Sequence, residues 1–521
     1  MTASASNAAG SADAPAVPEE WRLARPWIAG ASPRTATLPV MDPADTSRQV
    51  GECALGTAEH VDSAVAAAES AFADWSARTA AERADALRRG ADALEAVAPR
   101  LHPVVTLEVG KLPADAHADA HGPAGLVRRM AELAGELDKP EVSERTAHTL
   151  VLRRRPLGPV GVIAPWNAPV FLTFKSVAPA LAAGCTVVVK PPEQAPLAVT
   201  AALHTLAAEL PPGVLNVVPG TGVEAGGALS RHPGIRGVFF TGGIDTGVAV
   251  ARDAAGTVKN LVLELGGNDP ALVLESARIT ETMLQELLAG AFAASGQICQ
   301  NIKRIYVHRS RHRDLLDGLR ELTARLTVGP PFAPGVHLGP LATEDGPRRA
   351  ARLAAEARAA GAEVPESGIV IDPDSWDRGH YVRPAIVGSI APDSELVLTE
   401  QFCPLLPVIP VDGDEQAVAE ANRTEYGLAA SVWSQDVEHA ESVAAQVHSG
   451  NVFVNVHRLG ASVDGAPYGG MRRSGIGRND GLTSLLSCTE PQAVVIHHDA
   501  ATTLPGLDRW RDVRLDKEVG A

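Results

Sequence analysis

The middle of the chain carries five short apolar runs, VGVIAP, CTVVVKP, GVLNVVP, RGVFFTG and LVLELG, all within residues 160–266. Each is Val- or Leu-rich and stopped by Pro or Gly, the pattern of a strand buried on both faces. The segments SVAPALAAG, closed by Gly184, Val199–Leu210 and TGVAVARDAAG lie between them with helical spacing. Strand–helix–strand units build parallel sheets, because a parallel partner needs a long crossover. The alternation from about residue 158 to 266 therefore predicts a doubly wound, Rossmann-type α/β domain with its ligand crevice beyond the carboxyl ends of the strands.

A second α/β series follows without an obvious linker. It comprises a helix over Thr280–Ala294, the strand RIYVHRS, a helix over Leu315–Leu326, and strands near Pro384 and Leu405. Upstream, Val61–Ala98 reads as helix: Val61, Val65, Ala68 and Phe72 fall near a 3.6 period, and a second run follows from Ala80 through Leu87, Leu94 and Val97. The expectation is two α/β domains packed on each other with a cleft between, and no repeat of solenoid length. The first 20 residues are rich in Ala, Ser and Pro and lack the basic and apolar regions of a secretory signal, so they are expected to be a disordered tail. No window of ~18 apolar residues suits a membrane span.

Asp and Glu number 62 against 46 Lys and Arg, a net charge of −16. Such a surface repels nucleic acid and anionic membranes, so neither is expected as a partner. The five cysteines, Cys53, Cys185, Cys299, Cys403 and Cys488, are widely spaced and form no CxxC pair. No metal site is expected from them; reduced thiols in a cytoplasmic protein are.

Several positions have chemistry to offer. Cys299, in SGQICQN, follows a helical run and sits in a small, polar turn where backbone N–H groups can lower a thiol pKa; a buried core thiol is the alternative. Glu264 ends an apolar strand before two glycines, where burial raises a carboxyl pKa and fits it to act as a general base; a salt-bridged cap is the alternative. Asn167 lies between Pro165 and Pro169, and its amide either donates to an oxyanion or satisfies its own turn. Lys190 and Glu193 leave a strand end where such folds hold an adenosine ribose, or else form a surface charge pair. Gly242, Gly243 and Gly247 join a strand to a helix N-terminus, which admits a pyrophosphate or is simply a tight turn.

In this order, APWN, VVVKPPE, FTGG, LELGGN, GQIC, TEQFCP, NxTxYGLAASVWS and PYGGMRRSGIGR resemble the NAD(P)-dependent aldehyde dehydrogenase superfamily, from about Trp27 to Pro491. The resemblance implies that Cys299 attacks an aldehyde carbon, that Asn167 and the Cys299 N–H hold the oxyanion, and that Glu264 activates water to hydrolyse the thioester. It implies NAD as cofactor, with NADP less favoured. Lys190 and Glu193 would hold the adenosine ribose. Trp166, Gly242, Gly243 and Gly247 would flank the pyrophosphate, Glu400 and Phe402 the nicotinamide ribose, and Gly222 and Leu265 would also bind the cofactor. It implies a small aldehyde as substrate and a homodimer or homotetramer.

The implied domains are a cofactor domain over 21–137 and 157–265, a catalytic domain over 266–470, an oligomerisation flap over 138–156 and 485–500, and a C-terminal extension over 501–521. Gly243, Thr399, Cys403 and Asn479 depart from the family pattern. Asn479 stands where a Glu is common, so any proton relay through that Glu is missing. Small Ala168 and Val170 imply a roomy entrance, and His457 and Arg458 fall where the family lines its substrate mouth. Two other readings remain: an acylating enzyme that passes the thioester to coenzyme A, against which Glu264 argues, and a catalytically silent scaffold, against which the intact trio argues.

Overall fold

The computed structural model describes residues 14–498 except 147, 459, 461, 462 and 464. The five apolar runs form parallel strands: β1 (Pro159–Ile163), β2 (Thr186–Lys190), β3 (Leu215–Val217), β4 (Gly237–Thr241) and β5 (Asn260–Glu264). β1 pairs with β2 on one side and β4 on the other. The sheet thus grows outward in both directions from β1, and a crevice opens between the carboxyl ends of β1 and β4. Every residue of β1 and β2 is buried, as the lack of polar alternation requires.

The second series forms another sheet of six parallel strands. They are β6 (Asp269–Val273), β7 (Ile302–His308), β8 (Ala385–Val387), β9 (Leu405–Val411), β10 (Ala429–Trp433) and β11 (Asn451–Val454), in the order β8-β9-β7-β6-β10-β11. A short strand, β12 (Gly475–Ile476), turns back and pairs antiparallel with β5. Residues 475–476 thereby belong to the first sheet, outside both ranges expected for that domain. A separate antiparallel sheet, Glu141–Glu144, His148–Pro156 and Thr489–His497, occupies the two segments expected to form the flap.

The helical stretch expected over Val61–Ala98 is two helices, α1 (Ala58–Ala77) and α2 (Ala80–Val109), the second starting at Ala80 where the second run begins. Thr79 and Glu82 form a capping box, which restarts the helix in a new direction. α3 (Pro113–Leu137) packs along α2. α4 (Pro169–Ala182) and α5 (Leu197–Ala208) are the β1–β2 and β2–β3 crossovers, α6 (Ile244–Ala255) joins β4 to β5, and α7 (Glu281–Phe292) joins β6 to the Cys299 loop. Buried Glu108 ties α2 to α5 by accepting from the N–H groups of Leu197 and Ala198 at 2.7 and 2.9 Å. The expected tail is shorter than 20 residues where it is described: Val17 is buried and Glu19–Trp21 forms a 3-10 turn. The rest of the tail and the extension over 501–521 lie outside the described residues.

Candidate active site

A cleft of about 880 Å³ opens at the carboxyl ends of β1, β2, β4 and β5, and every expected site residue except Gly247 lines it. Gly247 is instead a packing residue of α6. A Cβ there would lie 2.4 Å from a Leu265 methyl, so glycine lets the helix close onto the strand end.

Glu193 is held from two sides. Lys190 pairs with Oε2, and the Gly222 N–H donates to Oε1 at 2.9 Å. Burial would raise the Glu193 carboxyl, but Lys190 and the backbone donors outweigh it and hold it below the ordinary value. The carboxylate therefore stays ionised where it faces the cleft. Gly243 is the N-cap of α6, and a Cβ there would meet nothing within 4 Å. The first turn of α6 thus presents its N–H groups to an open part of the cleft, the arrangement that receives a phosphate. The lining suits an extended phosphorylated ligand.

The Cys299 loop is locked by its backbone. Ala294 and Ser295 adopt φ of 49° and 57°, unfavourable for non-glycine residues by ~1–3 kcal/mol each. Ser295 Oγ donates to the Gly339 carbonyl at 2.9 Å, and Gln297 donates to the Ala294 carbonyl at 3.0 Å while accepting from the Ala342 N–H at 2.9 Å. Beneath the loop, buried Lys303 donates to the carbonyls of Ile298, Cys299 and Asn301 at 2.6, 3.3 and 3.2 Å. Asn167 Nδ2 donates to the Gln297 carbonyl at 3.0 Å. An amide nitrogen carries two hydrogens, so one remains for the cleft.

Of the five free cysteines, Cys299 is the only one not fully buried. Its thiol is not lowered as the sequence suggests. Burial above all, then the Glu400 carboxylate, pushes it up to about 11; Lys303 pulls the other way, and Asp269 and Glu264 add smaller upward pushes. The loop amides face a thiol set among more negative than positive groups. Cys403, which departs from the family pattern, is a core thiol whose own pKa burial raises to about 12.

Glu264 is buried, and its pKa is raised to about 8 by burial, against weaker pulls from Lys175 and Arg478. Asn479 Nδ2 donates to Oε1 at 3.3 Å, whereas Oε2 has no partner. An unpartnered carboxylate oxygen in a cleft is free to take a proton from water. Behind it, Lys175 pairs with Asp480 at 3.0 Å. Glu400 accepts from the Gly267 N–H at 3.0 Å, and its oxygen would lie 2.5 Å from a Cβ at Gly266, so a side chain there would displace the Glu400 carboxylate. Burial raises the Glu400 carboxyl too. Phe402, at φ 53°, meets Trp166 edge-on with ring centroids 5.6 Å apart.

Two findings lie outside the sequence reading. Tyr468, in PYGG, is buried beside Cys299, and the Lys175 ammonium sits 4.0 Å from its ring centroid. Its motif carries the family resemblance, but nothing local in it marks a neighbour of the thiol. His457 is not at a substrate mouth. It is fully buried under the Cys299 loop, with Nδ1 2.9 Å from Ser431 Oγ and Nε2 2.9 Å from the Gln300 carbonyl. Arg458 is exposed and lies 3.6 Å from Glu286.

A family model described as the aldehyde dehydrogenase family matches residues 27–494. Peroxisomal aminoaldehyde dehydrogenase 2 of Pisum sativum is 35% identical over 456 residues, 85% of this chain and 89% of that protein. Chloroplastic betaine aldehyde dehydrogenase of Beta vulgaris is 34% identical over 457 residues, 85% of this chain and 90% of that protein. The solved structure of betaine aldehyde dehydrogenase from Staphylococcus aureus in complex with NAD+ matches with a TM-score of 0.87 at 28% identity, over 92% of this chain and 96% of that one. The solved structure of HpcC from Thermus thermophilus matches with a TM-score of 0.88 at 32% identity, over 92% of this chain and 95% of that one.

Proposed function

Because the chain belongs to the aldehyde dehydrogenase family, and is therefore an oxidoreductase, we propose that it oxidises a small aldehyde to the free carboxylic acid with NAD, through covalent intermediates on Cys299. The observation that carries this reading is the meeting of Cys299, Asn167 and Glu264 in one cleft with Glu193, Glu400 and the α6 N-terminus. NAD, when bound, supplies the acceptor for the hydride that leaves the aldehyde carbon. Lys190, Glu193 and Gly222 would hold its adenosine ribose, Trp166, Gly242 and Gly243 its pyrophosphate, and Leu265, Glu400 and Phe402 its nicotinamide end.

The chain's own residues do the rest. Cys299 Sγ loses its proton and bonds to the aldehyde carbon, and the second Asn167 amide hydrogen together with the Cys299 N–H receives the oxygen that becomes negative. Once the carbon is at the acid oxidation level, it is a thioester on Sγ. Glu264 takes a proton from water, the hydroxide adds to the thioester carbon, and the C–S bond breaks to release acid and thiolate. The net reaction consumes one water and one NAD+ and yields acid, NADH and a proton.

The flap sheet supports assembly into a homodimer or homotetramer. Val142, Val494, Val495 and Ile496 are exposed on its two edge strands, and such edges are normally covered. Five free thiols support a reducing, cytoplasmic setting; among the described residues no helix is long and apolar enough to cross a membrane. A panel of aldehydes followed by NADH absorbance tests the reading. Turnover with free acid as product is expected. Acyl-coenzyme A as the product, or no turnover of any aldehyde, overturns it.

A further inference from the structure

A group of side chains outside the cleft has no place in this chemistry. His117 and His121 stand one turn apart on α3, so they share a face, with rings stacked at a centroid distance of 3.9 Å. His102 of α2 faces them, with centroids 5.8 and 6.1 Å away. The three offer ring nitrogens that all lie within 4.8 Å of one another. The buried Nδ1 of His102 makes no hydrogen bond. A buried ring nitrogen without a partner is a cost that a bound ligand relieves.

We propose that His102, His117 and His121 form a site for one borderline divalent transition ion, such as Zn²⁺, Ni²⁺ or Cu²⁺, that clamps α2 to α3. Three imidazoles without a thiolate favour these ions over Ca²⁺ or Mg²⁺, which take oxygen ligands. Nitrogens bound at ~2.1 Å to one tetrahedral ion lie about 3.4 Å apart, so small side-chain rotations close the site. His117 is exposed, which gives an ion a path in.

The position on α3 also matters. Asp119, between the two histidines, accepts the Phe171 N–H at 2.7 Å and pairs with Lys111 at 3.0 Å. Phe171 opens α4, four residues after Asn167. An ion on His102, His117 and His121 therefore stiffens the helix pair from which this end of the cleft hangs.

The test is titration calorimetry with Zn²⁺ and electron paramagnetic resonance with Cu²⁺. Both use untagged, full-length, chelator-treated protein carrying Cys299→Ala, so that no exposed thiol competes. One ion per chain is expected, with nitrogen hyperfine coupling and a rise in melting temperature. His117→Ala/His121→Ala should weaken binding at least ~100-fold and His102→Asn at least ~10-fold, each abolishing the thermal rise. His117 is exposed, so His117→Ala alone retains the fold and should cost at least ~10-fold. Parent-like stoichiometry and affinity in these variants, or no binding by the parent at 100-fold molar excess of Zn²⁺, overturns the proposal.

Discussion

Replacing Glu264 by Gln separates the two halves of the proposed reaction. The carboxyl sits at about 8 rather than 4.5 because burial outweighs Lys175 and Arg478. At pH 7 only about one molecule in ten then carries the ionised base. The base acts in its charged form and that form is disfavoured, so thioester hydrolysis should rise about tenfold per pH unit up to pH 8 and level off above it. Glu264→Gln keeps the shape and removes the base, which slows hydrolysis by ~10²–10⁴-fold. Stopped-flow NADH absorbance from pH 6 to 9.5 reads both steps. A burst of about one NADH per site should survive, followed by a slow phase with no inflection near pH 8. The burst depends on Cys299, pushed up to about 11, so its pH limb lies higher and is separable. Asn479→Ala removes the donor to Oε1 and should move the inflection up by about one unit, the worth of a weak hydrogen bond to a charged group. Stability carries the same sign. A folded pKa above the unfolded one means stability falls as pH rises from 4.5 to 8, so Glu264→Gln should melt higher than the parent at pH 9. An inflection near pH 8 that persists in Glu264→Gln, or loss of the burst, would refute the assignment.

Cys299→Ala should abolish aldehyde oxidation and leave NAD binding by fluorescence titration intact, because the nucleophile and the nucleotide contacts are different residues; iodoacetamide should label Cys299 before the four buried thiols. Glu193→Gln should narrow the preference for NAD over NADP measured as kcat/KM, because an ionised Glu193 repels a 2′-phosphate while Lys190 offsets only part of that repulsion; an unchanged ratio places the discrimination elsewhere. Lys303→Met strips three loop carbonyls of their donor and should cost about 3 kcal/mol in denaturant unfolding. It should also slow alkylation of Cys299, since the nearby cation is lost.

The doubly wound sheet was legible because buried parallel strands leave continuous apolar runs that need no partner to recognise. The site residues were legible mainly as a set. Cys299, Glu264 and Asn167 each had an equally good structural account, and only their joint order pointed to one chemistry. The burial of Glu264 is legible from its strand end and the two glycines after it. The raised Cys299 thiol is not legible in the local string, because it is set by burial and then by Glu400, both of which depend on distant parts of the chain. The position of His457 is hidden for a related reason: the chain that leaves β11 dives under the Cys299 loop, and nothing local says which way it goes. The His117–His121 spacing is visible on one helix, but His102 joins it only through the packing of α2 on α3.

β12 completes the edge of the first sheet beside Glu264, although it lies more than 200 residues later in the chain. The strand Thr489–His497 likewise closes the sheet begun at His148–Pro156. During synthesis, the first sheet therefore leaves the ribosome with β5 uncapped and the Glu264 carboxylate unroofed, and it stays so until Gly475 and Ile476 have emerged. Such late closure makes the nascent N-terminal half a client for holding factors rather than an independently maturing unit. It also means that Glu264, whose raised pKa comes from burial, reaches its full burial only once this later segment has joined the sheet.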